Sequence, residues 1–233
     1  VSLEVCKLIC YNRERNERTK MANYVLSINS GSSSLKFKMF EMPTEEVVTS
    51  GIIEKIGLET SIFTTKFNGE KYVVHEPIPD HSKAVELLLA TFVKLGLVDN
   101  VEDIKGVGHR IVHGGELYKE SVLIDDDVLE GMASLSHLAP LHNPVNIIGV
   151  RSFQEFIPNA KHVAIFDTAF HQTMDASNYL YPIPYEYYEQ YRIRRYGFHG
   201  TSHFFVTNKV AQLMDRSVED MNIISAHLGN GAS

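Results

Sequence analysis

The sequence predicts an α/β fold built on a mixed sheet, and three observations carry that expectation. Strand-like runs come first, as a meander joined by turns. Further on, strand-like runs alternate with amphipathic helical stripes. The 233 residues are 44% hydrophobic and 22% charged, as in an ordinary globular protein, with no long repeat or low-complexity tract.

Residues 24–28, 35–40 and 46–53 read as the first three strands. Phe37 and Met39 alternate with Lys36 and Lys38, the period-two pattern of a half-buried strand. Residues 61–67 and 71–74 flank Asn68-Gly69, a two-residue hairpin signal. Asp80 or Ser82 can cap a helix whose Val85, Leu88, Leu89, Phe92 and Val93 share one stripe, and Gly96 can end it. Residues 106–112 form the next strand. Asp125, Asp126 and Asp127 favour a helix N-terminus, where carboxylates meet the positive end of the dipole. Asn143-Pro144 marks another, with Asn as cap and Pro as first residue. Residues 162–166 suit a central strand covered on both faces. Pro182 and Pro184 punctuate a tyrosine-rich loop, and Thr201 or Ser202 caps a helix carrying Val206, Val210, Leu213 and Met214. Residues 222–226 are expected to be a last buried strand.

This length holds one large domain or two small ones. The formal net charge of -7 argues against a general nucleic-acid or membrane-surface binder. An anionic small molecule stays open, because local donors matter more than net charge. No apolar run approaches membrane-spanning length. Residues 1–20 differ from the rest: they hold Cys6 and Cys10 and the basic cluster Arg13, Arg15, Arg18 and Lys20. Glu4 and Lys7 interrupt their apolar part, which makes a poor signal peptide. Met21 directly precedes the first strand, so residues 1–20 are expected to be an upstream extension or a cloning-derived tail, and 21–233 the folded domain. A short amphipathic targeting helix is the alternative for residues 1–20. The body has no cysteine, which fits a reducing cytoplasm and excludes a disulfide framework.

Six segments carry the chemistry, most of them marked by glycine or proline. Residues 29–36, Asn-Ser-Gly-Ser-Ser-Ser-Leu-Lys, sit between two strands and supply small donors with little bulk. Amides, hydroxyls and one ammonium can converge there on a phosphate. The turn is no Walker A loop, since it leads into a strand and lacks that spacing. It is equally readable as a Ser/Gly-rich hairpin without a ligand. In residues 108–116, Arg110 offers a planar fork for a carboxylate or phosphate, and Val112 shares its strand face. Residues 165–171 and 225–233 run from apolar strands into polar signatures at carboxyl ends, where ligands collect in open α/β sheets. Residues 196–203 place His199 and His203 four apart, a spacing that can bind zinc but lacks the usual partners. His137 and His142 flank Leu138-Ala139-Pro140-Leu141. Seven of the eleven histidines (109, 113, 142, 171, 199, 203 and 227), and His137 besides, lie in these motifs, which favours a polar cleft.

Together, residues 29–36, 109–116, 138–144, 166–171, 196–203 and 227–233 resemble the successive motifs of the acetate kinase family, in the family's order. The resemblance covers residues 23–233 and implies the ribonuclease-H-like fold of the acetate and sugar kinase, heat-shock protein 70 and actin superfamily, a mixed sheet flanked by helices. It implies reversible phosphoryl transfer from ATP to acetate, giving ADP and acetyl phosphate, with Mg2+. It assigns Asn29 to the metal site and Lys36, with Ser32 and Ser34, to nucleotide phosphate. Arg110 matches the substrate-binding arginine, Asp167 the catalytic acidic residue and His199 the transition-state stabiliser. His142 and His227 match active-site histidines. Val112, Leu141 and Phe198 match the apolar wall around the acetate methyl. His227, Leu228, Gly229, Asn230 and Gly231 match a nucleotide phosphate loop.

In-line phosphoryl transfer needs positioning and charge compensation more than covalent chemistry. The acceptor carboxylate is ionised at neutral pH, so no strong general base is needed. Asp167 is therefore expected to orient magnesium or its waters, while Arg110 and His199 neutralise the moving phosphoryl oxygens. One methylene is worth about 1–3 kcal/mol in an apolar pocket, so propionate is expected as a secondary substrate and propionate kinase is the nearest rival.

Family members continue beyond the phosphate motif through a second domain carrying the adenosine pocket, a further arginine and an acidic metal ligand, and they pair as homodimers largely through that half. Alternatives from other classes are a non-catalytic actin-like binding module and a metal-dependent hydrolase using the histidines. The 233-residue chain alone is predicted to be monomeric or loosely associated and to have little or no kinase activity. Acetate turnover by the purified chain would overturn that prediction.

Overall fold

The computed structural model describes residues 23–229 and 231–233. The readings of residues 1–20 and of Asn230 fall outside the described residues. Strands β1 (Asn23–Gly31), β2 (Ser34–Met42), β3 (Glu46–Glu54), β4 (Ile62–Phe67) and β5 (Glu70–His75) form the antiparallel meander. In β2, Leu35, Phe37 and Met39 are buried while Lys36 and Lys38 face solvent, so the alternation does fix the face. Asn68 (φ 49°) and Gly69 (φ 80°) are both left-handed, the geometry that matches hairpin twist between β4 and β5.

Helix α1 (His81–Lys94) follows, with the Asp80 carboxylate accepting from the Lys83 amide at 2.8 Å. Then come β6 (Ile104–Ile111), the two-residue β7 (Val122–Leu123), α2 (Asp126–Ser134), α3 (Asn143–Phe156) and β8 (Lys161–Phe166). Short helices α4 (Ala176–Tyr179) and α5 (Glu186–Tyr191) fill the tyrosine-rich loop, and α6 (Gly200–Leu213) closes the helical set. The strand order is β5-β4-β3-β2-β1-β6-β8-β7. β6 runs parallel to β1, and β8 parallel to β6. Consequently β1, β6 and β8 all end on one edge of the sheet.

The main core lies between the sheet and the α1–α3 layer. Phe37 meets Phe63 and Phe92 edge-on at 6.0 and 5.5 Å, and Phe153 comes from α3. Burying such aromatic rings holds the meander against the helices, at about 3–5 kcal/mol lost per Phe→Ala change. A smaller cluster joins Ile111, Val150 and Phe166 to Leu129 and Met132 of α2.

Four expectations change. Residues 222–226 are not a buried strand: they pair with no strand, and Ile224 is 100% exposed. The sheet edge beyond β8 is taken by β7, which pairs antiparallel with it and escapes notice because it is so short. β8 is therefore one strand in from the edge, though buried on both faces as expected. His142 rather than Asn143 occupies the N-cap position of α3, and His199 that of α6, neither with a side-chain capping bond, so Thr201 and Ser202 lie inside the first turn of α6. Among the described residues no helix is long and apolar enough to cross a membrane.

His109 and His162 form a buried pair, Nε2 to Nδ1 at 3.1 Å, on the face covered by Phe153. Burial lowers the pKa of both, and for His109 the neighbouring imidazole adds to the shift. Above about pH 6.5 these imidazoles are neutral whether the chain is folded or not. Below it the unfolded chain binds protons that the folded chain refuses, so stability falls by up to about 1.4 kcal/mol per pH unit for each histidine. Urea midpoints are expected to drop between pH 7 and 5.5. A flat profile over that window would contradict the buried neutral pair.

Candidate active site

The carboxyl ends of β1, β6 and β8 converge on a cavity of about 640 Å³. Its lining includes Asn29, Ser30 and Gly31 from β1, Arg110 and Val112 from β6 and its extension, and Asp167 just after β8. Residues 138–142 form one wall, and Phe198, His199 and 231–233 form the other. Of the anticipated site residues, Asn29, Arg110, Val112, Leu141, His142, Asp167, Phe198, His199 and Gly231 are thus brought together. Ser32 and Ser34 are not among the lining residues; Ser32 is in the two-residue turn between β1 and β2, and Ser34 opens β2. Lys36 sits directly opposite Asn29 in the β1–β2 register, on the same sheet face, but does not line the cavity. Leu228 and Gly229 are exposed and stand outside it too.

Arg110 and Asp167 form the electrostatic centre. Arg110 Nε donates to both carboxylate oxygens at 2.9 and 3.1 Å, and Nη2 donates to Oδ2. Asp167 is 1% exposed and the Arg110 side chain 28%. The hydrogen bonds to Asp167 raise the guanidinium pKa against the opposing effect of burial. Because the pair uses the Nε–Nη2 edge, the Nη1 edge of the fork is free of Asp167. One backbone bond and one backbone-to-hydroxyl bond fix the pair's footing: Asp167 N–H donates to Ile111 O at 2.9 Å, and Gly114 N–H to Thr168 Oγ1 at 3.0 Å.

His199 adopts left-handed backbone angles (φ 54°, ψ 27°), unusual for a residue with a Cβ and a recurrent mark of functional sites. Gly200 permits it: its N–H donates to Asp167 O at 2.8 Å, and a Cβ there would come within 2.4 Å of that oxygen. The His199 ring stacks on His227 at 4.0 Å and shares the Ser233 hydroxyl with His203, at 2.8 and 3.0 Å. His227 Nδ1 meets Ser202 Oγ at 2.9 Å. Burial, then the His227 ring, lowers the His199 pKa, and burial with the neighbouring imidazoles lowers that of His203. Both are therefore neutral hydrogen-bonding groups at pH 7. Among the described residues no group of three or more His, Cys, Asp or Glu is placed to hold a metal ion.

His113 supports the apolar wall. Its Nδ1 accepts from Gly115 N–H at 3.0 Å, which leaves the proton on Nε2. Burial, helped by His137, lowers its pKa to about 4. Its ring meets Tyr196 and Phe198 edge-on at 4.5 and 5.5 Å. The tyrosine-rich loop is pinned by Arg194, which donates to Glu116 at 2.7 Å and lies over the Tyr179 ring at 3.5 Å.

Sequence reading missed Asn146 and His81. Asn146 bridges two backbone segments beneath the cavity, and His81 Nε2 contacts Gly31 O at 2.8 Å. No motif flags either, because both act on backbone groups that only the fold brings near.

This strand topology, with a crevice at the parallel strand ends, defines a ribonuclease-H-like chain of the acetate and sugar kinase, heat-shock protein 70 and actin superfamily. More narrowly, residues 24–233 match the model of the Acetokinase family, and the chain belongs to that family. It is 57% identical over 209 residues to the acetate kinase of Bacillus cytotoxicus, covering 90% of this chain and 53% of that protein. Porphyromonas gingivalis acetate kinase is similar in structure, with TM-score 0.85 and 42% identity over 91% of this chain and 54% of that one. A propionate kinase from Francisella tularensis gives TM-score 0.84 at 38% identity, over 90% of this chain and 53% of that one. The chain spans about half the length of the relatives it matches.

Replacing Asp167 with Asn keeps the shape but removes the charge facing Arg110. The expected cost is about 1.5–3 kcal/mol, the worth of hydrogen bonds to a charged group, read as a lower urea midpoint. An unchanged midpoint would show that the pair does not hold the cleft.

Proposed function

We propose that residues 21–233 form the N-terminal domain of an acetate kinase and hold its acid and phosphoryl sites. The observation that carries this reading is the free edge of the Arg110 fork, set between the apolar residues Val112 and Phe198 and the serine turn. A small carboxylate can pair with the guanidinium while its alkyl group meets Val112, Leu141 and Phe198. Asn29–Gly31 and the amides near Gly231 suit phosphoryl oxygens, with Lys36, Ser32 and Ser34 close by for the nucleotide phosphates. His227 supports His199 by stacking, and His142 adds a polar group to the opposite wall.

In the reaction so read, a carboxylate oxygen attacks the terminal phosphorus of ATP, the bond to the bridging oxygen breaks, and ADP leaves with that electron pair. Arg110 and the neutral imidazole of His199 compensate charge on the transferring oxygens. Asp167 holds the guanidinium in place, a role its two occupied oxygens support more directly than a base would. Asn29, on the cavity lining, would offer magnesium an amide oxygen, and Asp167, with both oxygens on Arg110, would act on the ion's waters rather than on the ion; magnesium takes few protein ligands and completes its shell with water and phosphate. Magnesium would supply charge neutralisation on the nucleotide. The cysteine-free body suits a cytoplasmic enzyme.

Propionate is the second reading, favoured by the similarity to a propionate kinase and by the exposure of Leu141 on the apolar wall. A further methylene would shift preference by about 1–3 kcal/mol.

A hydroxamate assay for acyl phosphate, with acetate or propionate, ATP and magnesium, tests these readings. Since the matched relatives are about twice as long, turnover is expected only when the chain is joined to the remaining family-length sequence. In that longer protein, Arg110→Ala is expected to reduce kcat/KM about 10²–10³-fold. Full activity of Arg110→Ala, or no acyl phosphate from either acid, would refute the assignment.

A further inference from the structure

We infer that Asn146 is a positioning residue that sets the distance between the acid side and the phosphoryl side of the cleft. The inference rests on the acyl-phosphate reading above and adds to it a residue that touches neither ligand. β1 and β6 pair in parallel only as far as Ile28 and His109. Beyond that point the strands part, one running to Ser30 and Gly31, the other to Val112 and His113. Two backbone polar groups are left facing the gap. The Asn146 side chain fills it: Oδ1 accepts from Val112 N–H at 3.1 Å, and Nδ2 donates to Ser30 O at 2.8 Å. A side-chain amide thus takes the place that a peptide of an adjoining strand would hold. Its orientation is unambiguous, because one neighbour can only donate and the other can only accept.

The rest of α3 is shaped to the same end. Asn143, one turn earlier, clasps His113 through both its N–H (3.1 Å) and its carbonyl (2.9 Å). Gly149, three residues on, admits Ser30: a Cβ there would lie 2.3 Å from Ser30 Oγ. Asn146 is 3% exposed and Ser30 6%, so the bridge is held largely out of bulk water, and leaving its backbone groups unpaired there is costly. Arg110 is two residues from Val112 and Asn29 is next to Ser30. One buried amide therefore fixes how far the carboxylate fork stands from the phosphate turn. A ligand that spans both, such as an acyl phosphate, depends on that spacing. A ligand that uses only the arginine side does not.

The test compares the 233-residue chain with its Asn146→Leu variant, a change of similar shape without polar atoms. Ligand-observed NMR titrations with acetate and with acetyl phosphate suit weak binding, and circular dichroism checks folding. The variant is expected to weaken acetyl phosphate at least tenfold while acetate changes less than threefold. Equal losses for both ligands would mean a merely structural role and overturn the inference, as would no loss for either. If the unsubstituted chain binds acetate but never acetyl phosphate, the acyl-phosphate reading fails first, and the inference with it. Should the variant not fold, hydrogen exchange on the unsubstituted chain decides. The Val112 amide is expected to be protected like the Gly108 amide within the strand ladder, and free exchange at Val112 would overturn the bridge.

Discussion

Two parallel strands that stop pairing at Ile28 and His109 create the crevice on which the rest of the site depends. Arg110 and Val112, proposed for the acid, lie on the β6 side of that fork, and Asn29–Gly31, proposed for the phosphoryl oxygens, lie on the β1 side. Strand divergence costs ladder hydrogen bonds, and buried backbone groups left open are expensive. The chain meets that cost with side chains from a single helix, so α3 serves both the core and the cleft. Phe153 packs into the main cluster while Asn143 and Asn146 satisfy the open backbone.

The charge balance of the cleft follows the same economy of groups. A carboxylate as buried as Asp167 needs a partner, and Arg110 supplies one without using its whole donor set. The guanidinium stays oriented and still presents an edge to an incoming acid. The imidazole of His199 in the lining, like those of His113 and His203 behind it, is neutral at pH 7, which leaves Arg110 as the strong cation among the described lining residues. A second fixed cation beside it would compete for the acid and blur its placement.

Much of this was legible in the sequence. The β2 alternation, the Asn68-Gly69 hairpin and the Asp80 cap are local devices, and each appears where expected. Arg110, Asp167 and His199 were visible because glycines and strand ends surround them, and the structure brings all three to one cavity. What local pattern cannot show is which strand lies beside which. β7 is too short to register, and residues 222–226 have the composition of a strand but no neighbour to pair with. Asn146 looks like any helical asparagine until Ser30 and Val112 are placed on either side of it. The N-caps of α3 and α6 lie one to three residues earlier than expected because Asn143 is drawn to His113 and Gly200 to Asp167.

The central claim is that the free edge of Arg110, between Val112 and Phe198, is a carboxylate site formed within this chain. Acetate titrated into isotope-labelled protein tests it most directly, with NMR shifts followed at the Arg110 guanidinium, the Val112 methyls and the Phe198 ring. The account predicts saturable, concerted shifts at these three side chains, abolished by Arg110→Ala in a chain that remains folded. Saturable shifts centred elsewhere, or binding that survives loss of Arg110, would contradict it.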